Sequence, residues 1–109
     1  MATASTSTPT IVHKRRRRTD KGERHFLCVD GRDVRVRLET LIYVEFDYNA
    51  KTHGPVFNTD CMGTIYRYSD REWSDERKTF FYPLATPDEA ELFNAIVDEV
   101  ANHSDLLRN

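Results

Sequence analysis

The chain has 109 residues, of which 39% are hydrophobic and 31% are charged, a composition typical of one soluble globular domain. No apolar run approaches the roughly 18 residues of a membrane span, and no apolar segment follows the N-terminal Met as in a secretory signal. The two cysteines, Cys28 and Cys61, do not indicate a disulfide framework. We expect free thiols and an intracellular protein, in the cytoplasm or the nucleus.

The net charge of −2 hides an uneven distribution along the chain. Residues 1–24 hold seven of the sixteen basic residues and only two of the eighteen acidic ones, so the rest of the chain is acidic. Residues 1–12 are rich in Ala, Ser and Thr and have no apolar period, so they bury too little to offset the entropy of ordering. We therefore predict a disordered basic arm over residues 1–24, followed by one folded domain over residues 25–109.

The folded part is predicted to begin with a β-hairpin. Asp30 and Gly31 form the dipeptide that best suits a two-residue type I′ turn. This turn pairs Val29 with Arg32, Leu27 with Val34 and His25 with Val36. One face then carries Leu27, Val29, Val34, Val36 and Leu38, and the other carries Phe26, Cys28, Asp33, Arg35 and Arg37.

Further strands are predicted downstream of the hairpin. Residues 42–48 alternate in the manner of a half-buried antiparallel strand, with Tyr43, Glu45 and Asp47 pointing outward. Residues 49–61 indicate a loop with an edge segment at Val56 and Phe57. Strands are expected over residues 62–68 and 79–84, joined by the charged connection 69–78.

The C-terminal segment is predicted to form a helix. Thr86 suits the N-cap, Pro87 the first helical position, and Glu89 completes a capping box. The helix is expected to end near residue 102 or 103, with one apolar stripe of Leu92, Phe93, Ile96, Val97 and Val100. The predicted fold class is α+β: an antiparallel, strongly bent sheet or partial barrel of about five strands, closed by this helix.

The order of these elements resembles a pleckstrin-homology-like domain of the bacterial or GRAM type. Residues 34–46 (VRVRLETLIYVEF) and 80–100 (FFYPLATPDEAELFNAIVDEV) carry the resemblance. In such domains one strand bends into the next, and a late strand ends just before a capped helix that plugs one end of the barrel. The resemblance implies that fold, and no functional residue carries over from it.

Residue types that could perform chemistry are present but do not fall into known arrangements. His25 and Cys28 are three residues apart on a predicted strand, so their side chains should point to opposite faces. His53 and Cys61 have no familiar zinc spacing. There is no P-loop, no dinucleotide-binding glycine motif and no nucleophile paired with a histidine. We therefore expect a non-enzymatic protein without a metal or a cofactor.

Two groups of residues are candidates for binding. The first is the set of cations in the predicted arm, which would act as a nuclear-localisation signal, a phosphate-binding arm or a contact for an acidic protein: Lys14, Arg15, Arg16, Arg17, Arg18 and Lys21. The second is a candidate partner surface of aromatic residues: Tyr43, Tyr66, Tyr68 and Trp73. Within it, rings and cations interleave in a way that indicates either packing or a stacking platform for single strands: Tyr66, Arg67, Tyr68, Arg71 and Trp73. The acidic body argues against a nucleic-acid surface there.

Three functional hypotheses follow. The first is an interaction or adaptor module, a small accessory protein that binds a protein partner through its folded body while the arm adds targeting or electrostatic attraction. The second is a nucleic-acid-associated protein that binds phosphates through the arm and oligomerises through its folded body. The third is an organellar protein, since residues 1–18 lack acids and are rich in Ser, Thr and Arg, as transit peptides are. No oligomeric state is predicted.

Overall fold

A computed structural model of the protein describes residues 8–20, 22–38 and 41–108, the last five of these by their backbone alone. Within them the chain forms an antiparallel six-stranded sheet, whose strands follow sequence order: β1 (Ile11–Thr19), β2 (Gly22–Val29), β3 (Arg32–Leu38), β4 (Ile42–Phe46), β5 (Val56–Thr59) and β6 (Ile65–Arg67). A separate hairpin consists of β7 (Glu72–Ser74) and β8 (Thr79–Phe81), and the helix α1 spans Pro87–Arg108. The predicted α+β class is confirmed, and the sheet is open, with β1 and β6 at its edges.

The hairpin of β2 and β3 has the predicted register. Leu27 lies opposite Val34, and His25 lies opposite Val36. Asp30 and Gly31 both have positive φ, 49° and 82°, as a type I′ turn requires. Turn chemistry and side-chain alternation therefore select the same pairing.

One face of the six-stranded sheet, here called the helix face, packs against α1. Its apolar side chains alternate along β2, β3 and β4, and they meet Phe93, Ile96 and Val100 of the helix in one buried cluster. The opposite face is called the outer face. Because neighbouring residues of a strand point to opposite sides, the outer face carries the positions between those of the core.

The start of α1 has the predicted capping box. Thr86 Oγ1 accepts a hydrogen bond from the Glu89 amide at 3.2 Å, and Glu89 Oε1 accepts one from the Thr86 amide at 2.9 Å. The predicted end of the helix is wrong, because α1 continues to Arg108.

Three smaller predictions also differ from the structure. Val56 and Phe57 belong to β5, which is an internal strand between β4 and β6 rather than an edge segment. The charged connection 69–78 contains β7, which pairs with β8. Glu45 does point to the outer face, but it is buried there because Arg35 covers and pairs with it.

The predicted disordered arm is wrong for residues 11–19 and 22–24, which form β1 and the start of β2. β1 is held by its ladder to β2 and by contacts to α1, since Ile11 packs against the core and His13 Nε2 lies 2.9 Å from Glu99 Oε2. Residues 1–7 of the predicted arm and Lys21 lie outside the described residues.

Candidate functional site

A single row of directly opposed residues crosses the outer face of all six strands. Each member is the register partner of the next, in the order Arg17, Arg24, Arg37, Tyr43, Asn58 and Tyr66. Opposed residues in a sheet share a face. The row therefore begins as three neighbouring arginines and ends as a polar and aromatic strip.

A β-bulge in β1 places the basic residues on this face. The register passes from His13 opposite Leu27 to Arg15 opposite Phe26, which leaves Lys14 as the extra residue. Ile11 and His13 can thus face the helix, while Arg15 and Arg17 lie on the outer face. With Arg24, Arg35 and Arg37, the outer face collects five arginines on three adjacent strands.

The arginines of the outer face lie against aromatic rings. The guanidinium carbon of Arg15 is 4.2 Å from the centroid of the Phe26 ring, and that of Arg37 is 4.5 Å from the centroid of Tyr43. Arg35 lies 5.2 Å over Tyr48. Such contacts stabilise the cation and bury the apolar part of the long side chain. They hold the guanidinium groups in place on the sheet.

Two carboxylates at outer positions of β3 and β4 are already paired. Arg35 Nε donates to Glu45 Oε1 at 3.0 Å, and Lys14 Nζ donates to Asp33 Oδ1 at 3.1 Å. The hydrogen bond between Lys14 and Asp33 lowers the pKa of Asp33 and raises the pKa of Lys14, so both stay charged near neutral pH. These pairs lie beside the row.

Two residues of the row each have a buried polar atom without a hydrogen-bond partner. Among the described residues, Arg24 Nε and Asn58 Oδ1 are the buried side-chain polar atoms that have no hydrogen-bond partner. Native structures rarely leave such atoms unsatisfied, and ions, water or function account for many of the exceptions. Both atoms belong to the same row, on either side of Tyr43.

The phenol of Tyr43 is shielded at the centre of the row. Burial, followed by the charge of Glu45, raises the pKa of Tyr43, and the nearby Arg37 and Arg35 oppose that rise. Tyr43 is therefore a neutral hydrogen-bonding and stacking group at physiological pH.

Beyond the row, aromatic rings continue onto the hairpin of β7 and β8. Tyr66 contacts Tyr82 at a centroid distance of 6.1 Å, and Tyr82 also stacks on Tyr68 at 5.9 Å. Tyr82 contacts Phe80 at 6.3 Å, and Phe80 meets Trp73 edge-to-face at 5.1 Å. The row and the rings thus form one continuous surface.

The structure divides the predicted cations between two sides. Arg15 and Arg17 lie on the outer face, and Lys14 pairs there with Asp33. Arg16 and Arg18 lie on the other side, where their side chains are 3.4 and 3.5 Å from Glu23. The predicted aromatic residues Tyr43, Tyr66, Tyr68 and Trp73 all belong to the continuous surface, and Lys21 is outside the described residues.

Four residues of the surface were not predicted from the sequence: Arg24, Asn58, Phe80 and Tyr82. The predicted hairpin does place Arg35 and Arg37 on the outer face, without a role in binding. The sequence does contain a signal for part of this surface. In the segment VRVRL every second residue is an arginine, and the predicted hairpin register sets Arg35 opposite Phe26 and Arg37 opposite Arg24.

Acidic residues concentrate on the helix rather than on the outer face. The α1 segment contains six acidic residues and one basic residue. The acidic net charge of the body therefore does not describe the outer face, because folding separates the two signs of charge. Opposite signs on opposite sides make the local potential differ strongly from the net charge.

Comparison with known proteins gives no match: no family model, no curated protein and no solved structure is significantly similar to this chain. Among the described residues, no helix has both the length and the apolar character that crossing a bilayer requires. Function must therefore be argued from the outer face itself. Its chemistry suits anions, since a guanidinium group donates two parallel hydrogen bonds to a phosphate.

Proposed function

We propose that this protein binds nucleic acid through the outer face of its sheet. The observation that carries the proposal is the direct opposition of Arg17 and Arg24 on the adjacent strands β1 and β2. Like charges directly opposite one another destabilise a sheet. A bound polyanion would offset that repulsion, which gives the arrangement a functional explanation that a solvated surface lacks.

The dimensions favour an extended ligand over a small anion. Neighbouring strands lie about 4.8 Å apart, so a row across six strands spans roughly 24 Å. The cations occupy the β1 end of the row, and Arg15 and Arg35 lie two residues along their strands from Arg17 and Arg37. Several phosphates of one backbone would fit such a two-dimensional set of guanidinium groups.

This proposal differs from binding by a flexible arm in a way that can be tested. A flexible arm would use adjacent cations equally, since nothing would fix their directions. A strand sends Arg17 to the outer face and Arg18 to the opposite side, although both side chains are exposed. The two neighbours therefore form a matched pair of variants.

The experiment measures the affinity of the full chain and of the variants Arg17→Gln and Arg18→Gln for a fluorescent twelve-nucleotide single strand, at several salt concentrations. We expect Arg17→Gln to weaken binding about five- to tenfold, as the loss of one hydrogen bond of about 1 kcal/mol does. The slope of log K against the logarithm of the salt concentration should become shallower by about 1, the contribution of one phosphate contact. Arg18→Gln should have a clearly smaller effect.

Two results would contradict the proposal. The absence of any binding by the wild-type chain at low salt would remove nucleic acid as the ligand. Equal losses in the two variants would instead place the cations in a flexible arm, as the sequence analysis predicted.

A protein partner is the second candidate function, and a different surface supports it. Phe81 and Leu84 are 64% and 62% exposed, and Met62 is 87% exposed. Exposed apolar groups of this size are typical of protein contacts. A protein captured by the wild type and by Arg17→Gln, but lost by the double variant Phe81→Ser and Leu84→Ser, would support an adaptor role. Capture that is unchanged by the double variant would contradict it.

The resemblance to a pleckstrin-homology-like domain remains a hypothesis about the fold. An antiparallel sheet followed by a capped C-terminal helix is the order of elements that it implies. An experimental structure in which the sheet curves until β1 approaches β6 would support it. Persistent separation of these two edge strands would count against it.

A further inference from the structure

The aromatic side chains of the β7–β8 hairpin form the end of the continuous surface that lies farthest from the arginines. In the hairpin, Trp73 lies opposite Phe80, so these two side chains share one face. Arg71 and Tyr82 flank the two strands and contact the Phe80 ring, at 5.1 Å and at a centroid distance of 6.3 Å. Phe81 lies opposite Glu72 and points to the other face of the same hairpin. Ring contacts join the first face to Tyr66 at the end of the row.

We propose that this face is a platform on which unpaired bases stack, so that the ligand of the outer surface is single-stranded nucleic acid. The inference rests on the proposed function, because the arginines would hold the backbone while the rings hold the bases. It adds the class of nucleic acid and a second set of contacts. We call the four residues Arg71, Trp73, Phe80 and Tyr82 the stacking face.

The local packing supports stacking. The Arg71 guanidinium lies 4.3 Å from the Tyr68 centroid and 5.1 Å from the Phe80 centroid, so it is held between two rings. Trp73 remains 52% exposed and Phe80 40% exposed. A base that stacks on the exposed part of these two rings would cover apolar surface.

Two acidic side chains near the stacking face accept hydrogen bonds from other residues of the protein. Asp75 Oδ1 accepts a hydrogen bond from Trp73 Nε1 at 2.9 Å, which holds the indole in place. Asp70 Oδ2 accepts one from Arg67 Nε at 2.7 Å. Asp75 thus helps to position the indole, and Asp70 is paired with a cation.

A duplex does not suit this surface. Paired bases stack on one another and present their edges in grooves, whereas an open sheet with exposed rings can hold only bases that have left the stack. The arrangement of cations at one end and rings at the other also gives the strand a preferred course, from the arginines of β1 to the hairpin.

The test uses the only tryptophan of the full chain as reporter. Its fluorescence and the affinity are measured with a thymidine dodecamer, alone and annealed to its complement, at low salt. The variant Phe80→Leu removes a ring from the stacking face but keeps an apolar side chain. Its matched control is Phe81→Leu, which changes the same residue type on the opposite face of the hairpin.

We expect the single strand to quench Trp73 and to bind at least about fivefold more tightly than the duplex, as one stacked base would give. Phe80→Leu should lose about that factor for the single strand and nothing for the duplex, while Phe81→Leu keeps both affinities. Far-ultraviolet circular dichroism checks that both variants remain folded.

The outcomes separate the two proposals. Equal affinities for single strand and duplex, with Trp73 unquenched and Phe80→Leu unchanged, would overturn the stacking face and leave the arginine interface intact if Arg17→Gln still weakens binding. The absence of binding to either nucleic acid would overturn both, and the exposed rings would then belong to a protein contact.

Discussion

The two faces of the six-stranded sheet use the same backbone for opposite purposes. On the helix face, β2, β3 and β4 bury apolar side chains against α1, and most of them are completely covered. On the outer face, the same strands carry arginines opposite arginines and cover rings with guanidinium groups. The arrangement on the helix face stabilises the fold, whereas like-charge repulsion on the outer face lowers the stability.

The difference teaches where stability and function reside in a chain this small. A domain of about a hundred residues buries a modest share of its surface, so its margin of stability is thin. The protein can fold despite repulsion on the outer face because apolar burial on the helix face outweighs that repulsion. Substitutions on the two faces should consequently separate stability from binding.

The largest effect should follow truncation of the helix face. Ile96 is fully buried between α1 and the sheet, so Ile96→Ala removes buried methyl groups and leaves a cavity. We expect a loss of about 2–5 kcal/mol in the free energy of unfolding, measured by urea denaturation. Ile96→Val should lose about 0.5–1.5 kcal/mol, which keeps the comparison measurable if the alanine variant is unfolded. A loss below that range for both variants would contradict the division between the faces.

A smaller effect should follow disruption of the charge pair between Arg35 and Glu45 on the outer face. Glu45 is buried, and Arg35 donates to it from two nitrogens. Glu45→Ala should cost about 1–3 kcal/mol, because it leaves Arg35 without its carboxylate. The double variant with Arg35→Ala should cost less than the sum of the single variants, as coupled residues do. Strict additivity in urea denaturation would show that the pair is not coupled.

Acidification should destabilise the protein through His25 on the helix face. Burial lowers the pKa of His25, helped by Arg16, His13 and His103 and opposed by Glu23. The unfolded chain therefore takes up this proton at a higher pH than the folded one. The stabilisation is complete above about pH 6.5, the ordinary value for histidine, and is lost as the pH falls through the lowered pKa.

The check on His25 compares melting temperatures at pH 7.5 and pH 5.0 for the wild type and for His25→Phe, which fills the site without titrating. The difference between the two pH values should shrink in the variant, since the carboxylates common to both proteins cancel. An unchanged difference would show that His25 does not contribute to the acid sensitivity.

The smallest effect should have the opposite sign. Arg17→Gln removes one of two charges opposed across β1 and β2, so we expect it to raise the free energy of unfolding by up to about 0.5 kcal/mol at low salt. Arg18→Gln should not stabilise the protein, because Arg18 lies near Glu23. Both effects should fade at high salt in urea denaturation. Destabilisation by Arg17→Gln would mean that the row is a structural element and not a binding surface.

Local turn and capping signals explain why part of the fold could be predicted. Asp30 and Gly31 determine a register, and Thr86 with Glu89 determines a helix start, because each rests on contacts between residues close in sequence. The end of α1 could not be predicted in the same way, since the apolar stripe ends before the helix does.

The basic tract shows why the rest of the fold could not be predicted. Four consecutive arginines suggest self-repulsion and disorder, yet a strand separates them onto two sides. Their partners lie elsewhere along the chain: Phe26 under Arg15, and Glu23 beside Arg16 and Arg18. Part of the site could be predicted for the same reason. The alternation of residue types along a strand indicates Tyr43 and Tyr66 as surface aromatics, whereas the opposition of Arg17 to Arg24 depends on the pairing of β1 with β2.

The position of β1 at the edge of the sheet has a consequence for how copies of the protein meet. An edge strand offers a template for another strand, and charged side chains are one of the ways in which proteins keep such edges apart. The arginines of β1 would repel the same edge of a second molecule in free solution. Neutralisation of those charges by a polymeric counterion would lift that barrier, so that occupancy of the surface and pairing of two molecules through their β1 edges would become linked.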